Sequence, residues 1–166
     1  MPITTEIVIR PMKVDDIPQV VAVDQASFAL PWTERSYRFE IQQNKASICL
    51  VAEESLPDGS QRIVGMLVAW LLVDELHIAT IGVLPEARRC GIGRQLLAHA
   101  FRLGKARGAT TSTLEVRVSN LPAQALYHQF GYTTVGRRRK YYKDNNEDAL
   151  LMLAPLLSIP GNTPQG

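Results

Sequence analysis

Residues 75–118 read ELHIATIGVLPEARRCGIGRQLLAHAFRLGKARGATTSTLEVRV, and this stretch decides the fold. An apolar strand pattern from Glu75 to Leu84 leads into Arg88-Arg89-Cys90-Gly91-Ile92-Gly93-Arg94. From Gly91 to Gly108 the apolar residues Ile92, Leu96, Leu97, Ala100 and Leu103 recur at helical spacing, with Gly108 as the stop. Thr113 to Val118 is again a strand. A strand–helix–strand unit within one sheet crosses over right-handedly, so these two strands are expected to run parallel.

Upstream, Ile7 to Pro11 reads as a short strand closed by proline. Asp15 and Asp16 precede the apolar series Ile17, Val20, Val21, Val23 and Phe28, a first helix with acidic residues at its positive end. Leu30-Pro31-Trp32-Thr33-Glu34 breaks the chain and starts a second helix, with Thr33 as its N-cap. Ser47 to Glu53 and Ile63 to Val73 are strands joined by the turn signal Pro57-Asp58-Gly59. With the strand from Glu75, they form three sequential strands on short connections, which suggests antiparallel pairing. Downstream, Asn120 to Phe130 is a helix with Ala123, Leu126, Tyr127 and Phe130 on one face, stopped by Gly131. Thr133 to Tyr142 and Ala149 to Leu153 close the chain as paired strands. The expectation is one α/β (α+β) domain over residues 1–157 built on a mixed sheet, followed by a disordered tail, 158–166, rich in proline and glycine.

Composition bounds the function. The chain has 166 residues, 46% of them hydrophobic and 20% charged, as in an ordinary globular protein. A net charge of +2 does not by itself argue for nucleic acid or an acidic membrane. No run approaches the ~18 apolar residues of a membrane span, and the N-terminus does not read as a secretory signal. Cys49 and Cys90 fit no metal spacing with each other or with His77, His99 and His128, so two reduced thiols, a cytoplasmic location and no metal are expected.

Gly91 and Gly93 follow a strand and open a helix. Glycines there let backbone N–H groups close on an anion, and the helix N-terminus adds positive potential. Arg88, Arg89 and Arg94 add fixed charge. The same pattern also fits an ordinary turn before a surface helix. The phosphate loop of nucleotide triphosphatases is excluded, because its Gly-Lys-Ser/Thr string is absent. The dinucleotide fingerprint fails at its third glycine, which is Leu96 here.

Arg88-Arg89-Cys90-Gly91-Ile92-Gly93 resembles the Gln/Arg-x-x-Gly-x-Gly/Ala motif of the GNAT acyltransferases. Leu114-Glu115-Val116-Arg117-Val118-Ser119-Asn120, then Ala125-Leu126-Tyr127 and Phe130-Gly131-Tyr132, are similar to a continuous block of the ribosomal-protein-alanine N-acetyltransferases. So are Pro31-Trp32-Thr33-Glu34 and Arg138-Arg139-Lys140-Tyr141-Tyr142. The resemblance covers about residues 6 to 155.

It implies the GNAT fold, a mixed and mostly antiparallel seven-stranded sheet with helices on both faces, and acetyl-coenzyme A as cofactor with no metal. The backbone of Ile81, Gly82 and Val83 is then expected to bond the pantetheine arm. Arg88, Arg89, Cys90, Gly91, Ile92, Gly93 and Arg94 would cradle the pyrophosphate, and Asn120 would contact the cofactor beyond the reacting carbonyl. Glu115 matches the general base and Tyr127 the general acid. Trp32, Tyr141 and Tyr142 would line the acceptor cleft. Cys90 departs from the family, whose members often carry a basic residue or glycine there. The departure puts phosphate affinity in question and sets a thiol beside the cofactor.

The chemistry is consistent with these residue types. A peptide α-amine is roughly 10–20% neutral at pH 7, whereas a lysine amine is under ~0.1% neutral. A modest carboxylate base therefore serves an α-amine. Glu115 shares a strand face with Thr113 and Arg117, which also fits a solvated face. Tyr127 sits on an apolar helix face, which also fits a core tyrosine. His77 is a rival base, although its strand position reads more readily as packing or pocket lining. The implied acceptor is a protein or peptide N-terminus, foremost the alanine of a small-subunit ribosomal protein, with no direct nucleic-acid or membrane partner. A broader lysine or small-amine acetyltransferase is the alternative within the class. A basic RNA- or ribosome-binding module, carried by Arg137 to Lys143, is the alternative outside it.

Overall fold

The β-branched run Ile7-Val8-Ile9 and a terminal proline make Ile7–Pro11 the first strand, β1, of a computed structural model that describes residues 6–156. There follow α1 (Ile17–Ser27), α2 (Glu34–Gln42), β2 (Ser47–Ser55), β3 (Gln61–Leu72), β4 (Glu75–Val83), α3 (Ile92–Ala106), β5 (Thr111–Arg117), α4 (Leu121–Gln129), β6 (Thr133–Tyr142) and β7 (Glu147–Pro155). The seven strands hydrogen-bond in the order β1-β2-β3-β4-β5-β7-β6. β1 and β2 are antiparallel, as are β5–β7 and β6–β7, while β4 and β5 are parallel as the crossover requires. The sheet is therefore mixed, as expected. The expected tail, 158–166, lies outside the described residues.

Every expected element forms, and the differences are at element ends. β7 starts at Glu147 and runs to Pro155, because β6 pairs Tyr142 with Glu147 and β5 supplies ladder partners from Ala149 to Pro155. Gly91 lies outside α3 with φ +78°, a left-handed conformation suited to glycine.

The chain divides into two compact units. The first holds the residues up to Ala69 together with Thr80–Ala100. Its core is Ile17, Val20, Tyr37, Leu50, Met66 and Leu67, all essentially sealed from solvent. Arg10 ties β1 to its surroundings by reaching Asp16 at 2.8 Å and Glu53 at 2.7 Å. Thr33 caps α2 by accepting from the Ser36 N–H, as its position predicts. Asp24, buried on α1, accepts from the Tyr37 hydroxyl and from the Trp32 N–H at 3.1 Å, so a buried carboxylate pins the loop between α1 and α2. A Cβ placed on Gly65 of β3 would lie 3.1 Å from Ile92 Cγ2 and 3.2 Å from Leu96 Cδ1. The bare glycine thus lets the first turns of α3 seat directly on the sheet.

The second unit holds Trp70–Ala79 and the residues from Phe101 on. Phe101 packs edge-on against Phe130 at 5.4 Å and tilted against Tyr132 at 5.8 Å. The buried Tyr132 hydroxyl is satisfied by Ser112 Oγ at 2.7 Å. Gly104 plays for α3's second half the part Gly65 plays for its first, since a Cβ there would meet Leu76 Cδ2 at 2.9 Å.

Candidate active site

In the first unit, β4 ends where the Leu84 N–H donates to Val64 O at 2.8 Å, and a short 3-10 turn, Pro85–Ala87, leads into the arginine–glycine loop. Arg89 has φ +65° and Gly91 φ +78°, two left-handed positions within three residues, the backbone habit of anion-binding loops. The first intrahelical bond of α3 runs from the Gln95 N–H to Gly91 O at 3.0 Å, so the N–H groups of Ile92, Gly93 and Arg94 precede the helical ladder. Ile92 is buried and anchors this end of the helix, while Arg88, Arg89 and Arg94 stay exposed. Aligned amides, the helix dipole and three guanidinium groups suit a diphosphate. Two residues depart from the simplest expectation. Arg88 folds back, its Nε donating to Val83 O at 3.0 Å, so this carbonyl at the end of β4 is already engaged. Cys90 is exposed, and its thiol meets Arg88 O at 3.6 Å. In the same unit Ile81 and Val83 are half-buried and Gly82 is buried, with Ser27 Oγ and Phe28 Cε2 within 3.3 Å of where a Cβ would stand. The Trp32 ring lies 5.3 Å from Tyr37.

In the second unit Glu115 is half-buried on β5 with both carboxylate oxygens engaged. Oε2 lies 3.3 Å from His77 Nε2, and Oε1 accepts from Arg138 Nε at 3.2 Å. His77 is held in turn. Its Nδ1 meets Thr113 Oγ1 at 2.9 Å and its ring stacks on Trp70 at 5.8 Å. Parallel pairing creates this cluster, because it sets His77 of β4 directly beside Thr113 of β5. The hydrogen bond from His77, with the charges of His77 and Arg138, holds the Glu115 carboxyl below the usual range against the opposing effect of burial.

Tyr127 is buried on α4, its ring edge-on to Tyr132 at 5.7 Å. Desolvation, with the nearby Tyr142, drives its phenol well above the ordinary value. Asn120 is the N-cap of α4, where Oδ1 accepts from the Ala123 N–H at 3.2 Å. Gln124 closes the β5–α4 turn by donating to Arg117 O and Val118 O at 3.0 and 2.9 Å.

The β6–β7 hairpin is clamped from β5. Arg117 reaches Asp144 at 2.9 Å, Glu147 at 3.2 Å and Asn145 Oδ1 at 3.2 Å, and its guanidinium lies 3.9 Å over the Tyr142 ring. Tyr141 stands exposed at right angles to Tyr142, with ring centroids 5.1 Å apart. Burial raises the Tyr142 phenol to about 12.

The sequence pattern of the Acetyltransferase (GNAT) family matches residues 17–132, running through both units. The chain belongs to the GNAT acetyltransferase family. It is therefore an acetyl-coenzyme A-dependent N-acetyltransferase. A relative from Bacillus subtilis (strain 168), provisionally named a ribosomal protein bS18-alanine N-acetyltransferase, is 39% identical over 148 residues, which are 89% of this chain and 95% of that protein. The Salmonella typhimurium protein named for that activity is 32% identical over 143 residues, covering 85% of this chain and 92% of its own length. The crystal structure of the ribosomal-protein-S18-alanine N-acetyltransferase from Escherichia coli superposes with a TM-score of 0.79 at 29% identity, covering 95% of this chain and 99% of that one.

Against the sequence reading of this acetyltransferase, the second unit gathers Glu115 with His77, Thr113 and Arg138, and Tyr142 with Arg117. The first unit gathers Ile81, Gly82, Val83 and the loop from Arg88 to Arg94. Sequence reasoning gave no role to Thr113, Arg117 or Arg138 as partners of these groups. The period-2 alternation placed Thr113, Glu115 and Arg117 on one face, but only the register of β4 on β5 and the course of β6 supply what they touch. Among the described residues no cluster of His, Cys, Asp or Glu is arranged to hold a metal ion. No helix among them is long and apolar enough to cross a membrane.

Proposed function

We propose that the chain is a cytoplasmic protein N-terminal acetyltransferase acting on the N-terminal alanine of the small-subunit ribosomal protein bS18, as the relatives' names suggest. On this reading residues 1–157 form one acetyltransferase domain. The observation that carries it is the half-buried Glu115 carboxylate on β5, held in place between His77 and Arg138. An ionised carboxylate there can take the proton that an attacking α-amine loses, because such an amine is already partly neutral near pH 7, whereas a lysine amine is almost wholly protonated.

The amide and guanidinium groups from Arg88 to Arg94 hold the pyrophosphate. The backbone of Ile81, Gly82 and Val83 meets the pantetheine arm, and Asn120 contributes through Nδ2, since its oxygen caps α4. Acetyl-coenzyme A supplies an acetyl thioester, whose C–S bond breaks as the acceptor's C–N bond forms. Glu115 accepts the proton that the amine must lose. Tyr127, buried on α4, keeps its proton at neutral pH and delivers it from Oη to the departing thiolate. Trp32, Tyr141 and Tyr142 line the acceptor's path. The commitment of Arg137 to Asp148 and of Arg138 to Glu115 favours a peptide over RNA at this hairpin.

Coenzyme A release with peptides differing only in the first residue, beside N-terminally blocked lysine peptides, tests the reading. Release is expected with free N-terminal alanine. Activity confined to blocked lysine peptides or to small amines refutes it.

A further inference from the structure

Arg138 stands apart from the other basic residues of β6. Its side chain is 52% exposed, yet its Nε reaches inward to Glu115, whose side chain is only 13% exposed. Among the described residues Glu115 is its one ion-pair partner, whereas Arg137 is committed to Asp148 at 2.7 Å and Arg117 to Asp144 and Glu147. The backbone is shaped for this. The β6–β7 register shifts between Arg138 and Tyr142, and Lys140 inside that irregularity has φ +52°. The strained turn is secured by the Lys140 N–H donating to Asp148 Oδ1 at 2.8 Å. Bulges next to sites re-aim side chains, and this one lies immediately after the arginine that turns toward Glu115. The carboxylate's two partners are unequal. His77 is tucked against Thr113 and Trp70 with its side chain 18% exposed, so it is a fixed ligand, while Arg138 is a long cation free to swing into solvent.

We infer that Arg138 is a displaceable stand-in for the acceptor's ammonium: it occupies Glu115 Oε1 in the free enzyme and yields that oxygen to the N-terminal –NH3+ of the incoming peptide. The inference rests on the reading of Glu115 as the base that meets the amine. Both cations seek the same oxygen, so the guanidinium is a positioning group that keeps the carboxylate ionised and aimed, and it competes with substrate for the place. A peptide without an ammonium at its first residue has nothing to exchange for Arg138. The pair therefore helps to select free N-termini.

Steady-state kinetics with an alanine-terminated peptide, on wild type, R138Q, R138K and E115Q, test this. R138Q is expected to lower the peptide KM by about 2- to 5-fold, the range an exposed ion pair is worth, and to leave the acetyl-coenzyme A KM unchanged. R138K restores the cation and is expected to return the peptide KM to near the wild-type value. Competitive inhibition by the same peptide with a hydroxyl in place of its α-amino group should be equal in wild type and R138Q. A peptide KM that is unchanged or raised in R138Q, while E115Q abolishes turnover, overturns the displacement and leaves Glu115 as base. Full turnover in E115Q overturns both together.

Discussion

His77 Nε2 lies 3.3 Å from Glu115 Oε2, across a parallel pair of strands that the chain joins only through α3. This contact, more than the charge of the adjoining Arg138, keeps the Glu115 carboxyl below the ordinary range, since the His77 hydrogen bond is the largest influence on it. Its folded proton affinity is lower than its unfolded one, so ionised Glu115 contributes stability above the unfolded value of 4.5, and that contribution fades as pH falls through the lower folded value. Denaturant unfolding of wild type and E115Q between pH 3 and pH 7 checks this. Wild type should gain on the variant as pH rises to about 4.5 and hold a constant margin above it. A margin that does not vary with pH would show Glu115 to be unperturbed.

Replacing Tyr127 by Phe separates chemistry from packing. The ring keeps its edge-on contact with Tyr132 and its buried place on α4. Thermal stability should therefore change little. Turnover should fall by about 10²- to 10⁴-fold, the usual worth of a general acid, with acetyl-coenzyme A affinity preserved. Calorimetric titration of the cofactor alongside kinetics reads both quantities.

Gly65 sets how closely α3 approaches the sheet, because its Cβ position is already 3.1 Å from Ile92 Cγ2. Gly65→Val forces that contact apart and should destabilise the protein by about 1–3 kcal/mol. Moving Ile92 also moves the amides of Gly93 and Arg94, so the KM for acetyl-coenzyme A should rise in parallel. Urea midpoints and donor titrations on the same preparation measure the two effects.

Arg117→Ala removes the clamp on the β6–β7 hairpin. It deletes the contacts to Asp144, Glu147 and Asn145 and uncovers the Tyr142 ring. The expected cost is about 1–2 kcal/mol of stability. The peptide KM should rise several-fold while the donor KM stays fixed, a split readable from initial rates with each substrate varied in turn.

Local patterns determined much of this protein without any tertiary information. The 3.6-residue spacing of Ile92, Leu96 and Ala100, the cap at Thr33, the Pro57-Asp58-Gly59 turn and the stops at Gly108 and Gly131 are read from neighbours within a few residues. The loop from Arg88 to Arg94, which we propose holds the pyrophosphate, was legible for the same reason, since a turn into a helix N-terminus is built from consecutive residues. Tertiary structure decided everything that depends on register and on the far ends of long side chains. Glu115 looks alike in sequence whether it faces water or a histidine. The alignment of His77 with Thr113 sets its proton affinity, and the irregularity after Arg138 brings a cation from a strand 23 residues away onto its second oxygen. Likewise Arg88 reads as a phosphate ligand, but its Nε is drawn to the Val83 carbonyl at the end of its own strand. Periodicity fixes which face a side chain leaves by. Its partner depends on how elements distant in sequence are packed, and no local pattern records that.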